Sequence, residues 1–210
     1  MIQRRTFQIW LGKDMPKDIT QRVLGMERMN RDMEYRLYRD EIFHTYGDDP
    51  YVRHMVESQE KTAFIVDRLR VLLLRDVGGL YVDADAVARK PWSSMPFWNY
   101  PHIDFVAGMR SPHRPGVALH RGIAFVDNTV MGSAKNGRMV NRLCGLYTSE
   151  SKRQTGHSIG IEIHSSADET TALYSYKYFY SQSIHPETVV EHDGCNLGSW
   201  IANPTQFAIA

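Results

Sequence analysis

The most constraining stretch is residues 58–77, SQEKTAFIVDRLRVLLLRDV, which runs without a gap into GGLYVDADAV, Gly78 to Val87. Ala63, Phe64, Val66, Leu69, Leu73 and Val77 recur at three- and four-residue steps, the period of a helix with one buried side. Gly78 and Gly79 then form a helix C-cap. LYVDADAV follows as a strand, with Pro91 marking its limit. A helix, a glycine cap and a strand in direct succession point to a layered α/β domain in which the strand lies beneath the helix.

That strand carries a difficulty. Asp83 and Asp85 interrupt an otherwise apolar run, and burying carboxylates is unfavourable by several kcal/mol unless they are paired or bind a cation. Residues two apart in a strand point the same way, so Tyr81, Asp83 and Asp85 are expected on one face. Leu80, Val82, Ala84 and Ala86 would line the other. The two aspartates would stand roughly 6.6 Å apart at Cα, close enough to share a divalent ion directly or through water. Oxygen-only ligation suits Mg²⁺ or Mn²⁺ and leaves positions for phosphate oxygens. In α/β proteins such ligands sit at the carboxyl ends of strands. On the helix, Asp67 and Arg70 are three apart and share a face. Arg68 and Arg75 are expected on an exposed side.

The remaining chain extends the alternation of strands and helices. RTFQIWLG (5–12) reads as a first strand. A helix opened by Pro16 carries Ile19, Val23, Leu24 and Met26. EYRLYRD (34–40) reads as a strand, and DEIFHTYGDDPYVRHMVES as short helical pieces broken by Gly47 and Pro50. HIDFVAGM and IAFVDNTVMGS read as two strands and KNGRMVNRLCGLYTSE as a helix. QTGHSIGIEIHSS reads as an irregular loop, TALYSYKYFY as a helix and ETVVEH as a strand. With 210 residues, 42% of them hydrophobic, the chain is expected to form one domain over residues 1–210 around a single core.

Charge bounds the partners. Lys and Arg number 25 against 24 Asp and Glu, which disfavours nucleic-acid binding. Cys144 and Cys195 do not make a disulfide framework, which fits a reducing compartment. No apolar run is long enough to span a membrane, and the N-terminus lacks the features of a signal peptide. A soluble, cytoplasmic chain, of bacterial or viral source, is the expectation.

Taken together, DRLRVLLLRDVGGLYVDAD resembles the DXD-motif sugar transferases, the family of the yeast initiating α-mannosyltransferases, bacterial capsular-polysaccharide transferases and clostridial glucosylating toxins. Its pattern of Asp, two residues, Arg, an apolar helix end, Gly-Gly, an aromatic and Asp-x-Asp is filled by Asp67, Arg70, Gly78, Gly79, Tyr81, Asp83 and Asp85. FQIWLG resembles its first strand, VDNTVMGSAKNGRM its Asn-containing strand and following helix, TGH (155–157) its Thr/Ser-Gly-Pro loop and HDGCNLGSW its C-terminal segment. Val66 departs from the usual Ser, and the family's C-terminal histidines are reduced to His192.

The resemblance implies a single-domain nucleotide-sugar-binding fold of the GT-A type, a mixed central sheet flanked by helices. It implies a metal-dependent, retaining transfer of a hexose from a UDP-sugar, or a GDP-sugar, to a glycan or protein-linked acceptor. Asp83 and Asp85, with His192, would hold Mn²⁺ or Mg²⁺. Ile9 and Trp10 would meet the nucleotide, with Trp10 stacked on the base. Asp67 and Arg70 would hold sugar hydroxyls and the diphosphate, and Tyr81 and Asp83 belong to the same donor site. Asn128 would face the donor sugar or acceptor, and His192, Ser199 and Trp200 would close over the diphosphate. Asp67, Asn128, Asp83 and Asp85 are thus the candidate catalytic residues. For a double displacement Asp127 is a candidate carboxylate, a front-face route is equally open, and no nucleophile is assigned.

Two other readings remain open. VDADAV also fits the Asp-x-Asp start of the haloacid-dehalogenase-like phosphatases, although that motif usually stands on the first strand. A non-catalytic nucleotide-sugar-binding module is the other. Exposed Trp and Tyr in PWSSMPFWNYPH (91–102) are expected to meet a partner or line an acceptor cleft.

Overall fold

A computed structural model of the protein describes residues 1–12, 14–109, 126–147, 156–174 and 188–191. The chain order is β1 (Arg5–Ile9), α1 (Lys17–Met29), β2 (Glu34–Tyr38), α2 (Phe43–Tyr46), α3 (Pro50–Glu57), α4 (Thr62–Asp76), β3 (Gly79–Val82), β4 (Val87–Ala88), β5 (Phe105–Met109), β6 (Val126–Ser133), α5 (Arg138–Cys144), α6 (Gly156–Ser166), β7 (Thr171–Tyr174) and β8 (Val190–Glu191). The main sheet has six strands in the order β2-β1-β3-β6-β5-β7, and β4 pairs with β8 in a second, two-stranded sheet.

β1 pairs in parallel with β2 and β3, and β5 in parallel with β7. β6 runs antiparallel to both its neighbours, β3 and β5. The sheet is therefore mixed, and the start of β6 lies at the edge where β1 and β3 end. The chain leaves β1 for β2 on one side and returns to place β3 on the other. The gap between β1 and β3 is thus the point at which strand order reverses, where open α/β sheets bind ligands.

Alternation along β1 divides two cores. Phe7 and Ile9 join Leu69, Leu72, Leu73 and Tyr81 on the α4 side. Leu80, Val82 and Ala86 pack on the other side with Met26, Trp92 and Phe97, and Ala84 packs with Ile19 and Val23 of α1. Gly78 caps α4 at φ +72°, its N–H donating to the Leu74 carbonyl at 3.1 Å. Gly79 follows at φ +112°, where a Cβ would lie 2.8 Å from the Arg5 carbonyl oxygen.

Several expectations are corrected. β1 ends at Ile9, so Trp10 lies just beyond it. α4 begins at Thr62, after Gln59 turns the chain at φ +53°. β3 ends at Val82, and the aspartates stand on the turn beyond it. Ala84 and Ala86 are nevertheless buried, which is why the alternation imitates a longer strand. Residues 156–166 are a helix, because Ile159 and Ile163, one turn apart, are both fully buried. At Gly160 a Cβ would meet the Val126 carbonyl, so the glycine lets α6 lie directly on β6. Thr171–Tyr174 is a strand pairing with β5, not a helix. Leu24 faces outward. Arg68 is buried, paired to Asp49 at 2.7 Å, rather than on an exposed side. In segment 91–102, Trp92 and Phe97 are core residues and Tyr100 is exposed.

Candidate active site

Three elements supply side chains at the C-terminal edge of β1 and β3. α4 runs opposite to β3 and brings Asp67 and Arg70 from its middle. β3 supplies Tyr81 and, just past its end, Asp83. β6 supplies Asn128 near its start. A bulge aims that residue: Ala107 of β5 pairs with Met131, but Gly108 pairs with Asp127, so residues 128–130 are left out of the β5 register.

Arg70 is the hub, 5% exposed. Its Nη2 lies 2.9 Å from Asp67 Oδ1, and its Nη1 lies 3.1 Å from Asp83 Oδ1. Nη1 also donates to the Asn128 carbonyl at 2.7 Å. The guanidinium stacks over the Tyr81 ring at 4.5 Å. The Tyr81 hydroxyl donates to Asp83 Oδ1 at 2.6 Å, and Asn128 Nδ2 donates to Asp67 Oδ1 at 2.7 Å. This is a buried charge network, not an ion pair on a solvated helix stripe.

Its electrostatics are asymmetric. Burial pushes the Asp67 carboxyl up to about 6; Arg70 and the Asn128 hydrogen bond pull it down, and Asp83 and Asp127 push it further up. One Asp67 oxygen, Oδ2, is buried without a hydrogen-bond partner, so Arg70 compensates only part of the lost hydration. Burial opposes the charge on Arg70, but Asp83, Tyr81 and Asp67 hold its pKa above the ordinary value. Burial raises the Tyr81 hydroxyl well above its usual range, keeping it a donor to Asp83.

The turn at 83–86 is fixed by its backbone. The Asp83 N–H donates to the Thr129 carbonyl at 2.9 Å, and the Ala86 N–H donates to the Asp83 carbonyl at 3.1 Å. Gln8 Nε2 donates to that same carbonyl at 3.0 Å, and Arg22 donates to the Asp85 carbonyl. Both aspartate side chains are half-exposed. Asp85 sits on the same turn, two residues beyond Asp83.

Trp10 follows β1 at the crevice, half-buried beside the Ile19–Val23 cluster. Its Nε1 donates to the Asp14 carbonyl at 3.3 Å. The adjoining Gly12 is gripped from β2's end: its N–H donates to Asp40 Oδ1 at 2.7 Å, and Arg39 Nη2 donates to its carbonyl at 2.6 Å. The Ile9 side chain belongs to the core, so any ligand contact from Ile9 is through its backbone. Asp127 Oδ1 accepts from the Thr129 N–H at 2.9 Å and hydroxyl at 2.8 Å, which ties it into the bulge.

The structure thus brings together Asp67, Arg70, Tyr81, Asp83 and Asn128, with Asp85 and Trp10 at the same edge. His192, Ser199, Trp200, Cys195 and Thr155 lie outside the described residues. Gln8, Thr129, Arg39 and Asp40 were not singled out from the sequence; a glutamine inside an apolar first strand was the available signal for Gln8. Among the described residues no group of three or more His, Cys, Asp or Glu could hold a metal ion by itself. None of their helices is long and apolar enough to cross a membrane.

No protein-family model matches the chain, and no curated protein matches it. Among solved structures it is similar to the PaToxG glycosyltransferase, with 15% identity and a TM-score of 0.57 over 78% of this chain and 69% of that one. It is also similar to a glycosyltransferase involved in the glycosylation of the major capsid of PBCV-1, with 12% identity and a TM-score of 0.53 over 90% of this chain and 93% of that one. The catalytic domain of alpha-toxin from Clostridium novyi aligns at a TM-score of 0.44 and 10% identity, over 68% of this chain and 57% of that one, too loosely to support an argument. At these identities the likeness is one of architecture, and it is specific: the chain has the mixed α/β fold of the GT-A glycosyltransferases.

Proposed function

We propose that the chain is a metal-dependent glycosyltransferase that moves a hexose from a nucleoside-diphosphate sugar, a UDP-sugar in first place and a GDP-sugar in second, to a glycan or protein-linked acceptor in the cytoplasm. The carrying observation is the buried Asp67–Arg70–Asp83–Asn128 network at the point where strand order reverses. The likeness to glycosyltransferase structures supports the same reading.

The donor set fits a hard divalent cation. Asp83 and Asp85 offer oxygen ligands on a half-exposed turn, which suits Mn²⁺ or Mg²⁺ completed by water, diphosphate oxygens and, beyond the described residues, His192. Bound there, the ion would supply Lewis-acid relief of the charge that grows on the departing diphosphate.

The protein's own groups do the rest. Trp10 offers a ring for the base, and Ile9 offers backbone beside it. Asp67, with one oxygen unengaged, accepts from a sugar hydroxyl. Asn128 orients the donor sugar from the other side. Arg70 holds Asp67 and Asp83 in place and presents positive charge beneath the diphosphate. Ser199 and Trp200 complete the set as covering residues.

A thermal-shift screen of UDP- and GDP-sugars with and without Mn²⁺ tests this. A ligand at a hundred times its Kd stabilises by about 2.7 kcal/mol, which is about 5–10 °C for a chain of this size. The expected result is a rise with one nucleotide class that requires Mn²⁺, and its loss in Asp85→Asn while the variant still unfolds cooperatively. No rise with any donor, or an undiminished rise in Asp85→Asn, refutes the proposal.

A further inference from the structure

Gln8 is the last residue but one of β1: Phe7 and Ile9 beside it enter the core, and its own exposure is 0%. A primary amide there is unfavourable unless its donors and acceptor find partners. They do. Its Oε1 accepts from the Tyr35 hydroxyl of β2 at 2.8 Å, and its Nε2 donates to the Asp83 carbonyl at 3.0 Å. The Asp83 carbonyl can only accept, so it fixes which end of the amide faces it, and the Tyr35 hydroxyl donates to the other end. A hydrogen-bonded line thus crosses the sheet from β2 through β1 to the turn beyond β3.

That turn is held at each peptide group by a different element: β1 through Gln8, β6 through Thr129 and α1 through Arg22. The Thr129 bond is backbone to backbone and survives substitution. The Gln8 and Arg22 bonds depend on side chains, and of the two residues Gln8 is the fully buried one. We infer that Gln8 is a positioning residue: by holding the Asp83 carbonyl, with its amide oxygen anchored by Tyr35, it sets the direction in which Asp83 and Asp85 present their carboxylates to a divalent cation and the diphosphate it carries. The inference rests on the proposed function for what the turn holds.

The test is Mn²⁺ binding, read as loss of the free-ion signal by electron paramagnetic resonance, in the presence of UDP and, in parallel, GDP. Wild type is compared with Gln8→Leu, Tyr35→Phe and Thr6→Val, with urea unfolding of each. Thr6 is buried on the same face of β1 and donates only to the Met33 sulfur, so it controls for general weakening of the strand. Gln8→Leu is expected to weaken Mn²⁺ binding by about 10–100-fold, as for other groups that orient a metal ligand. Tyr35→Phe weakens it in the same direction by a smaller factor, and Thr6→Val leaves it unchanged at any cost in stability. Wild-type affinity in both Gln8→Leu and Tyr35→Phe overturns this inference alone; if Gln8→Leu does not fold, Tyr35→Phe decides. A wild-type protein that takes up no Mn²⁺ with either nucleotide overturns the proposed function and this inference together.

Discussion

Replacing Asp67 by Asn should make the protein more stable at neutral pH. The carboxyl rises from 3.8 to about 6 on folding, chiefly through burial. The folded state therefore holds this proton more tightly than the unfolded chain does. The stabilisation is complete below about pH 3.8 and is lost as pH rises through about 6. At about 1.4 kcal/mol per pH unit, the ionised group lowers stability at pH 8 by about 3 kcal/mol, of which roughly 1 kcal/mol falls between pH 5 and pH 7. An asparagine keeps an acceptor for Arg70 and Asn128 but carries no charge. The pKa of about 6 already includes the pull of Arg70 on the charged form, so the gain at pH 8 is up to about 3 kcal/mol. Urea unfolding of wild type and Asp67→Asn at pH 5, 6, 7 and 8 checks this. The difference between the two should grow in favour of the variant up to pH 7 and then level off. Parallel profiles would show that Arg70 fully offsets the lost hydration, and the reasoning would fail.

Two further outcomes follow from the packing. Arg68 forms a bidentate pair with Asp49, at 3.1 and 2.7 Å, that ties α4 to the start of α3. Arg68→Met should lower stability by about 3 kcal/mol by stranding a buried carboxylate, and Asp49→Asn added to it should recover part of that; additivity of the two losses in urea unfolding would contradict the pairing. Gly79→Ala should cost about 2 kcal/mol or more, because φ is +112° and the new Cβ would crowd the Arg5 carbonyl; a melting temperature equal to wild type would disprove that strain.

The helix–Gly-Gly–strand unit was legible because every signal in it is local: the apolar period of α4, the two glycines with positive φ and the short apolar strand all lie within residues 62–82. Asp67 and Arg70 could be placed on one face for the same reason. What the sequence concealed depends on distant partners. Arg68 reads as a surface residue until Asp49, nineteen positions earlier, is brought against it. The end of β3 was hidden because Ala84 and Ala86 remain buried on the turn, continuing the strand's alternation without its hydrogen bonds. α6 has glycine, serine and β-branched residues that disfavour an isolated helix, yet Ile159 and Ile163 bury fully against the sheet. Their four-residue spacing was the signal that composition outweighed. Residues 171–174 read as part of a helix from the sequence although Thr and Tyr favour strands; their pairing with β5 decides the matter.

The position of β1 bears on how the protein can be synthesised and dissected. It is made before β2 and β3, yet it lies between them, and its second neighbour does not exist until Gly79–Val82 has left the ribosome. Until then one edge of β1 has bare peptide groups, flanked by Phe7 and Ile9, the arrangement that recruits strands from other molecules. A fragment that stops short of Val82 keeps that sticky edge permanently. Useful truncations of this chain therefore begin their search for an end point beyond β3.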